Sequence, residues 1–283
     1  MLMHDCVSDL NLPPINFSSL PLTPQQVLIF ISYLHLSGKA PATMTTYTAA
    51  IGFVHKFNSL PDPTATFIVQ KSLASINKRF GKSDSRLPIT LLILSQLLES
   101  LEHTINNHYD RTLVGALFTT AFFGLFRVGE LTTQRSGIIS IYLDQVKRID
   151  EKIHISITNF KNNDTNKPFV IILGRHKDNT ICPFLHLSNF LDIRGTAPGP
   201  LFCFANLKPI PRTFFASRLK RALTYCNFNP SLYLSHSFRI GSASYLASIG
   251  FTDVQIKLMG RWKSDAFLRY IRDQKFLVSQ ESM

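Results

Sequence analysis

The sequence is poor in the features from which metal sites, disulfide frameworks and membrane spans are built. Its 283 residues include only four cysteines with no C-x-x-C pair, so neither a zinc framework nor a disulfide-rich fold is indicated. Apolar stretches such as 87–98 and 115–126 are interrupted and fall short of the roughly 20 residues that span a bilayer. No cluster of Asp, Glu and His has metal-site spacing. We therefore expect a soluble intracellular protein, nuclear in a eukaryotic host, without a metal or other cofactor.

Acidic residues are also scarce relative to basic ones. The chain has 18 Asp and Glu against 30 Lys and Arg, a formal charge of +12. The excess is uneven, because residues 1–84 hold six basic and four acidic side chains whereas residues 85–283 hold 24 and 14. A basic globular domain attracts polyanions, of which nucleic acid is the commonest. The charge favours a nucleic-acid partner, with ordinary solubility charge as the alternative.

The apolar pattern divides the chain into an arm and two folded units. Residues 1–22 are rich in Pro, Ser and Asn without a period, which is typical of an arm. Residues 23–84 predict three helices and a linker: Thr23 caps the first helix, Gly38 ends it, and the others span about 41–57 and the stretch up to Arg79. Residues 85–283 form the larger second unit.

The second unit predicts helices on both sides of a short sheet. Two alternating segments, K-I-H-I-S-I-T and P-F-V-I-I-L, predict strands joined by the turn N-N-D-T-N, and residues 138–143 are a candidate third strand. The fold class is therefore mainly α with a small antiparallel β-sheet. Helices are predicted over 90–101, 109–123, 184–193, 212–226, 237–249, 252–259 and 264–273.

Two short stretches each place a charged residue three positions from a second polar group. F-G-L-F-R-V-G-E puts Arg127 and Glu130 on one helical face, where the carboxylate can orient the guanidinium. S-H-S-F-R likewise puts His236 and Arg239 on one helical face, so that a proton-transfer group stands beside an anion-binding guanidinium. Either pair alone is more often structural than functional.

Two further stretches hold an aromatic pair and a lysine pair. M-G-R-W-K-S-D-A-F-L-R-Y contains the only tryptophan, Trp262, and then Tyr270 on a helix that Ser264 can cap. N-F-K-N-N-D-T-N-K-P is a turn between strands, with Lys161 and Lys167 at its flanks. A tyrosine on an amphipathic helix is usually a core residue, and hairpin lysines are usually solvated. The order of the four stretches is therefore more informative than any one of them.

This ordered set resembles the tyrosine recombinase (phage-integrase) superfamily. The stretch H-S-F-R-I-G-S-A-S-Y…G-R-W-K-S-D-A-F-L-R-Y-I-R is most similar to the recombinases of DIRS-type retroelements and Crypton-type DNA transposons, and the resemblance covers about residues 24–275. It implies a helical core-binding (SAM-like) DNA-binding domain with its linker at 23–84 and a catalytic domain at 85–283. It further implies cleavage and rejoining of double-stranded DNA by a homo-tetramer, for integration or excision of a mobile element.

The resemblance also implies a metal-independent reaction through a 3′-phosphotyrosine. Two arginines, Arg127 and Arg239, are expected to meet the negative charge that gathers on the phosphate during attack. Tyr270 is the expected nucleophile and His236 the general base. Lys161 is the expected acid for the leaving 5′-oxygen.

Two of the active-site roles have alternative residues, and a third role belongs to a residue behind the site. Lys167 is the alternative to Lys161 as the acid. Relatives usually place the third active-site residue directly after the glycine and nine before the tyrosine, a spacing that Arg261 satisfies here, whereas Trp262 is eight before. We expect Trp262 to fill that position, packed against the phosphate, with Arg261 as the alternative. Glu130 is expected to orient the site from the second layer.

Three other functions compete with a recombinase. A catalytically silent, sequence-specific DNA-binding protein derived from such an enzyme fits the charge, and a type IB topoisomerase uses a similar Arg, His and Tyr set. A plain helical interaction module leaves the charge and the ordered stretches unexplained. The separate helical unit at 23–84 favours the recombinase over the topoisomerase.

Overall fold

The chain contains two compact units, divided between residues 84 and 85. The computed structural model describes residues 20–81, 85–133, 141–160, 163 and 167–271. Lys161 and most of the predicted arm therefore lie outside the described residues. Each unit has its own apolar core. Among the described residues, no helix is long and apolar enough to cross a membrane.

The described part of the first unit is a bundle of α1 (Pro24–Leu36), α2 (Pro41–Phe57) and α3 (Phe67–Phe80). The start of α1 is confirmed: the Thr23 hydroxyl accepts from the Gln26 N–H, and the Gln26 side chain accepts from the Thr23 N–H at 2.8 Å. This reciprocal cap satisfies two donors that a helix start otherwise leaves free. The buried core consists of Leu22, Val27, Phe30, Ile31, Leu34, Met44, Ile51, Val69 and Leu73.

The central element of the second unit is α5 (His108–Phe123). Every side chain from residue 113 to residue 122 is buried, because other helices surround α5. A cluster of three phenylalanines joins it to two of them: the Phe118 ring lies 5.4 Å from Phe215 and 5.3 Å from Phe238, centre to centre. The other helices are α4 (Leu91–Thr104), α6 (Val128–Leu131), α7 (Pro183–Arg194), α8 (Arg212–Tyr225), α9 (Ser237–Ser248) and α10 (Asp253–Met259).

The sheet is antiparallel, in the order β1 (Val146–Ile149), β2 (Lys152–Ile157) and β3 (Phe169–Gly174). Alternate residues of β2 are buried, which confirms the predicted period of two. The predicted third strand at 138–143 is wrong where the structure describes it. The Tyr142 N–H donates to the Gln145 side chain at 2.8 Å, which turns the chain into a short 3-10 helix, and the strand begins only after it.

The predicted last helix, 264–273, is also wrong over its described part. Residues Asp265–Arg269 form a 3-10 helix, and the Ser264 side chain makes no capping bond. In a 3-10 helix, side chains three apart eclipse each other. The tighter turn therefore sets Phe267 and Tyr270 on the same side, each with its ring 5.8 Å from the ring of Trp262. The predicted fold class, mainly α with a small antiparallel sheet, is confirmed.

Candidate active site

Arg127 lies in the turn between α5 and α6, where a buried acid holds it. Its Nη1 donates to Glu130 Oε1 at 2.9 Å, and its backbone N–H donates to Glu130 Oε2 at 2.9 Å. The Glu130 side chain is only 6% exposed, whereas that of Arg127 is 20% exposed. Glu130 thus fixes the guanidinium from below and leaves part of it open to an anion.

Arg239 lies in the first turn of α9 and is 1% exposed. Its Nη1 donates to the Leu125 carbonyl and its Nη2 to the Gly260 carbonyl at 2.8 Å, while the Trp262 ring lies 4.2 Å from its Cζ. Burial, and then the charge of Arg127 nearby, lowers the pKa of Arg239 to about 9, so it remains a cation at neutral pH.

The Arg261 side chain points into the protein, toward Glu130. Its side chain is 2% exposed, and Nη2 donates to Glu130 Oε2 at 2.9 Å and to the Leu125 carbonyl at 3.1 Å. Burial lowers the pKa of Arg261, an effect that the Glu130 carboxylate opposes. Glu130 therefore bridges Arg261 and Arg127.

Trp262 occupies the outer position that Arg261 leaves. Its ring folds back over Gly260, where a Cβ would lie 1.5 Å from the indole, so a side chain at position 260 would displace the tryptophan. The indole lies 4.2 Å from Cζ of Arg239, and its centre is 5.8 Å from that of the Tyr270 ring. This contact brings together residues from α9 and from the chain beyond α10.

His236 and Tyr270 are neighbours on the same surface. Their ring centres are 6.4 Å apart, and the Ser244 hydroxyl on α9 anchors Tyr270 by donating to its carbonyl at 3.0 Å. Burial lowers the pKa of His236 to about 4, aided by the positive charge of Arg86, Arg239, Arg212 and Arg127. The imidazole is therefore neutral at pH 7, the form that accepts a proton.

The structure describes only one of the two candidate lysines. Lys167 is exposed, and its carbonyl accepts from the Asn163 side chain at 3.0 Å. Lys161 lies outside the described residues. The choice between them stays a prediction.

Further arginines near His236 were missed by the sequence analysis. Arg86 and Arg212 both act on its pKa, and Arg212 Nη2 donates to the Ser235 hydroxyl at 3.2 Å. Neither stands in a recognisable motif, because their role depends on contacts between distant segments. Within the described part of the chain, no three His, Cys, Asp or Glu side chains are grouped as metal ligands.

Solved structures share this arrangement of helices and sheet. XerH site-specific recombinase bound to palindromic difH substrate aligns with 99% of this chain and 76% of its own, with a TM-score of 0.69 and 16% identity. The Tn1549 transposon integrase in complex with transposon right end DNA aligns over 100% and 90%, with a TM-score of 0.66 and 12% identity. A lambda integrase dimer bound to a COC′ core site aligns over 90% and 65%, with a TM-score of 0.57 and 16% identity. The chain has the tyrosine recombinase fold.

The predicted resemblance to tyrosine recombinases is thus confirmed at the level of the fold, and its DIRS and Crypton branch stays a prediction. No protein-family model matches the sequence, and no curated protein matches it. On this tyrosine recombinase fold, one surface collects the predicted residues Arg127, His236, Arg239, Trp262 and Tyr270, with Glu130 beneath it.

Proposed function

We propose that this protein is a site-specific DNA recombinase that cleaves and rejoins strands through a 3′-phosphotyrosyl intermediate. One observation carries the proposal: the Trp262 ring contacts both Arg239 and Tyr270, and His236 lies beside Tyr270. A phosphate-binding cation, a neutral base and a nucleophile therefore share one surface. The tyrosine recombinase fold supports the same function.

The proposed reaction begins with attack of the Tyr270 hydroxyl on the scissile phosphorus. A tyrosine O–P bond forms, the bond from phosphorus to the 5′-oxygen breaks, and neutral His236 takes the phenolic proton. Lys161 supplies a proton to the leaving 5′-oxygen, with Lys167 as the alternative. Rejoining is the reverse, and it needs no ATP because the phosphotyrosine keeps the bond energy.

Two arginines stabilise the charge that develops on the phosphate. Arg127 and Arg239 donate to the non-bridging oxygens, where loss of one preorganised donor costs on the order of 10²–10³ in rate. Glu130 orients Arg127 from behind. We assign the third active-site position to Trp262 rather than Arg261, because Trp262 lies against Arg239 and Tyr270 while Arg261 is turned inward.

The proposed partner is double-stranded DNA, bound by a homo-tetramer. In this proposal residues 23–84 are the core-binding domain with its linker, and residues 85–283 are the catalytic domain. The biological role is integration or excision of a mobile element. The charge balance of residues 85–283, 24 basic against 14 acidic side chains, supports contact with phosphates.

Trapping a covalent adduct tests the proposal. Duplexes enriched by binding from a random pool supply the site, and a nick placed near the cleavage point makes rejoining impossible. Wild-type protein should form a protein–DNA adduct, and Tyr270→Phe should form none while its DNA affinity is retained. Tyr225→Phe, an exposed tyrosine on α8, is the matched control and should react normally.

Each competing function predicts a different result. A silent DNA-binding protein gives no adduct with wild-type protein on any enriched duplex. A topoisomerase forms the adduct and relaxes supercoils without preference for the enriched site. A Tyr270→Phe protein that still forms the adduct at the normal rate would show that the nucleophile lies elsewhere.

A further inference from the structure

We propose that Arg261 is a positioning residue that holds both phosphate-binding arginines in place; this inference rests on the proposed function. It shares one hydrogen-bond acceptor with each of them. Glu130 accepts from Arg261 and Arg127, and the Leu125 carbonyl accepts from Arg261 and Arg239. Arg261 thus connects two catalytic donors that come from separate segments of the chain.

The first shared acceptor is the Glu130 carboxylate. Arg127 donates to Oε1 through Nη1 and to Oε2 through its backbone N–H, both at 2.9 Å, and Arg261 Nη2 also donates to Oε2 at 2.9 Å. A carboxylate held at both oxygens cannot rotate freely. Loss of Arg261 leaves Oε2 held by the Arg127 backbone N–H alone, so the fork that orients Arg127 loosens.

The second shared acceptor is the Leu125 carbonyl, which belongs to a strained turn. Leu125 has a φ of 46°, a left-handed conformation that is uncommon for a leucine and persists only where its surroundings enforce it. Arg261 provides two of the enforcing bonds, since Nη2 donates to the Leu125 carbonyl and Nη1 donates to the Gly124 carbonyl at 3.3 Å. Without them the turn can relax and remove the acceptor that Arg239 Nη1 requires.

Direct contact between Arg261 and DNA does not fit its surroundings. Arg239 is at least as buried, but the Arg261 guanidinium is bonded to the Glu130 carboxylate and lies 5.1 Å from the ring of Phe126 and 5.7 Å from that of Phe169. Its own backbone is left-handed, with a φ of 56°, which directs the chain so that Trp262 takes the outer place. Arg261 therefore acts through Glu130 and Leu125.

The test is a double-mutant cycle on the cleavage step. The rate of adduct formation is measured at saturating DNA and expressed per folded molecule for Arg261→Met, Glu130→Gln and the double variant. Arg261→Met should slow cleavage about 10²-fold, the cost of small misplacement of catalytic groups, with DNA affinity unchanged. The double variant should be little slower than the slower single one, because both changes break one network.

Arg194→Met is the matched control for a buried arginine. Arg194 is 5% exposed, and within the described residues its guanidinium donates only to backbone carbonyls near its own helix end, such as that of Pro200 at 2.8 Å. This variant should lower stability but leave the rate per folded molecule unchanged. If Arg261→Met does not fold, Arg261→Lys replaces it and should still slow cleavage, because one ammonium cannot reproduce the fork.

A readout without activity separates this inference from the proposed function. In DNA-free protein, the side-chain Nε–Hε resonance of Arg127 should shift or broaden in the Arg261 variant and stay unchanged in Arg194→Met. If wild-type protein forms no adduct but this change occurs, the recombinase proposal fails and the positioning role of Arg261 stands. An unchanged Arg127 resonance, or normal cleavage per folded molecule, would overturn the inference.

Discussion

Glu130→Gln should destabilise the second unit. The substitution keeps the shape of the side chain and removes its charge, which lies between the guanidinium groups of Arg127 and Arg261, both bonded at 2.9 Å. Arg261 is 2% exposed and has no other ion-pair partner among the described residues. Its buried charge would then keep only carbonyl acceptors and aromatic rings as partners, with no opposite charge.

The expected magnitude follows from that burial. Breaking a buried ion pair by removing one partner costs about 3–5 kcal/mol. The Arg127 side chain is 20% exposed, so its pair with Glu130 adds little to the cost. We therefore expect Glu130→Gln to lower the free energy of unfolding by about 3 kcal/mol, the lower end of that range. The matched control is Glu151→Gln, whose pair with Arg175 is 64% and 45% exposed and should change stability by less than about 1 kcal/mol.

Urea unfolding followed by tryptophan fluorescence measures both variants. Trp262 is the only tryptophan, so its emission reports the second unit even if the two units unfold separately. The difference in free energy of unfolding between variant and wild type is the quantity of interest. If Glu130→Gln costs no more than Glu151→Gln, the buried-charge argument for this network is wrong.

Three further predictions concern the site and its support. The His236 ring of DNA-free protein should titrate near pH 4 by NMR. Because this pKa is below the ordinary 6.5, the contribution of His236 to stability is present above pH 6.5 and is lost as the pH falls toward 4. A midpoint near 6.5 would contradict the role of burial and nearby arginines. Trp262 emission should change when DNA binds, since the indole lies 4.2 Å from the guanidinium that is proposed to bind phosphate, and constant emission during binding would argue against that role of Arg239. Gly241→Ala should strongly destabilise α9, because the new Cβ would lie 1.8 Å from the Ile89 carbonyl oxygen. The control Gly129→Ala adds a methyl group in open space and should leave the melting temperature unchanged. Equal melting temperatures for the two variants would refute this packing argument.

Much of the fold could be predicted because its signals are local. Each of the caps at Thr23 and Thr90 depends only on the backbone N–H three positions later. Both hydrogen bonds are present, from the N–H groups of Gln26 and Ile93 to the threonine hydroxyls. The alternation in β2 likewise depends on neighbouring residues. The two errors occur where a nearby side chain overrides the periodic pattern: Gln145 bonds the Tyr142 N–H in the strand predicted at 138–143, and the Trp262 ring contacts Phe267 and Tyr270 in the helix predicted at 264–273.

The same division applies to the site. The sequence by itself determined which groups are present and that Arg127 and Glu130 can pair, since residues three apart meet on one helical turn. Only the tertiary structure decided that Arg261 turns inward and Trp262 outward, because adjacent residues at a chain reversal have no periodicity to distinguish them. The low pKa of His236 was decided in the same way: it arises from burial and from arginines up to 150 positions away. Charge and packing act through space, and the distances that set them exist only after the chain has folded.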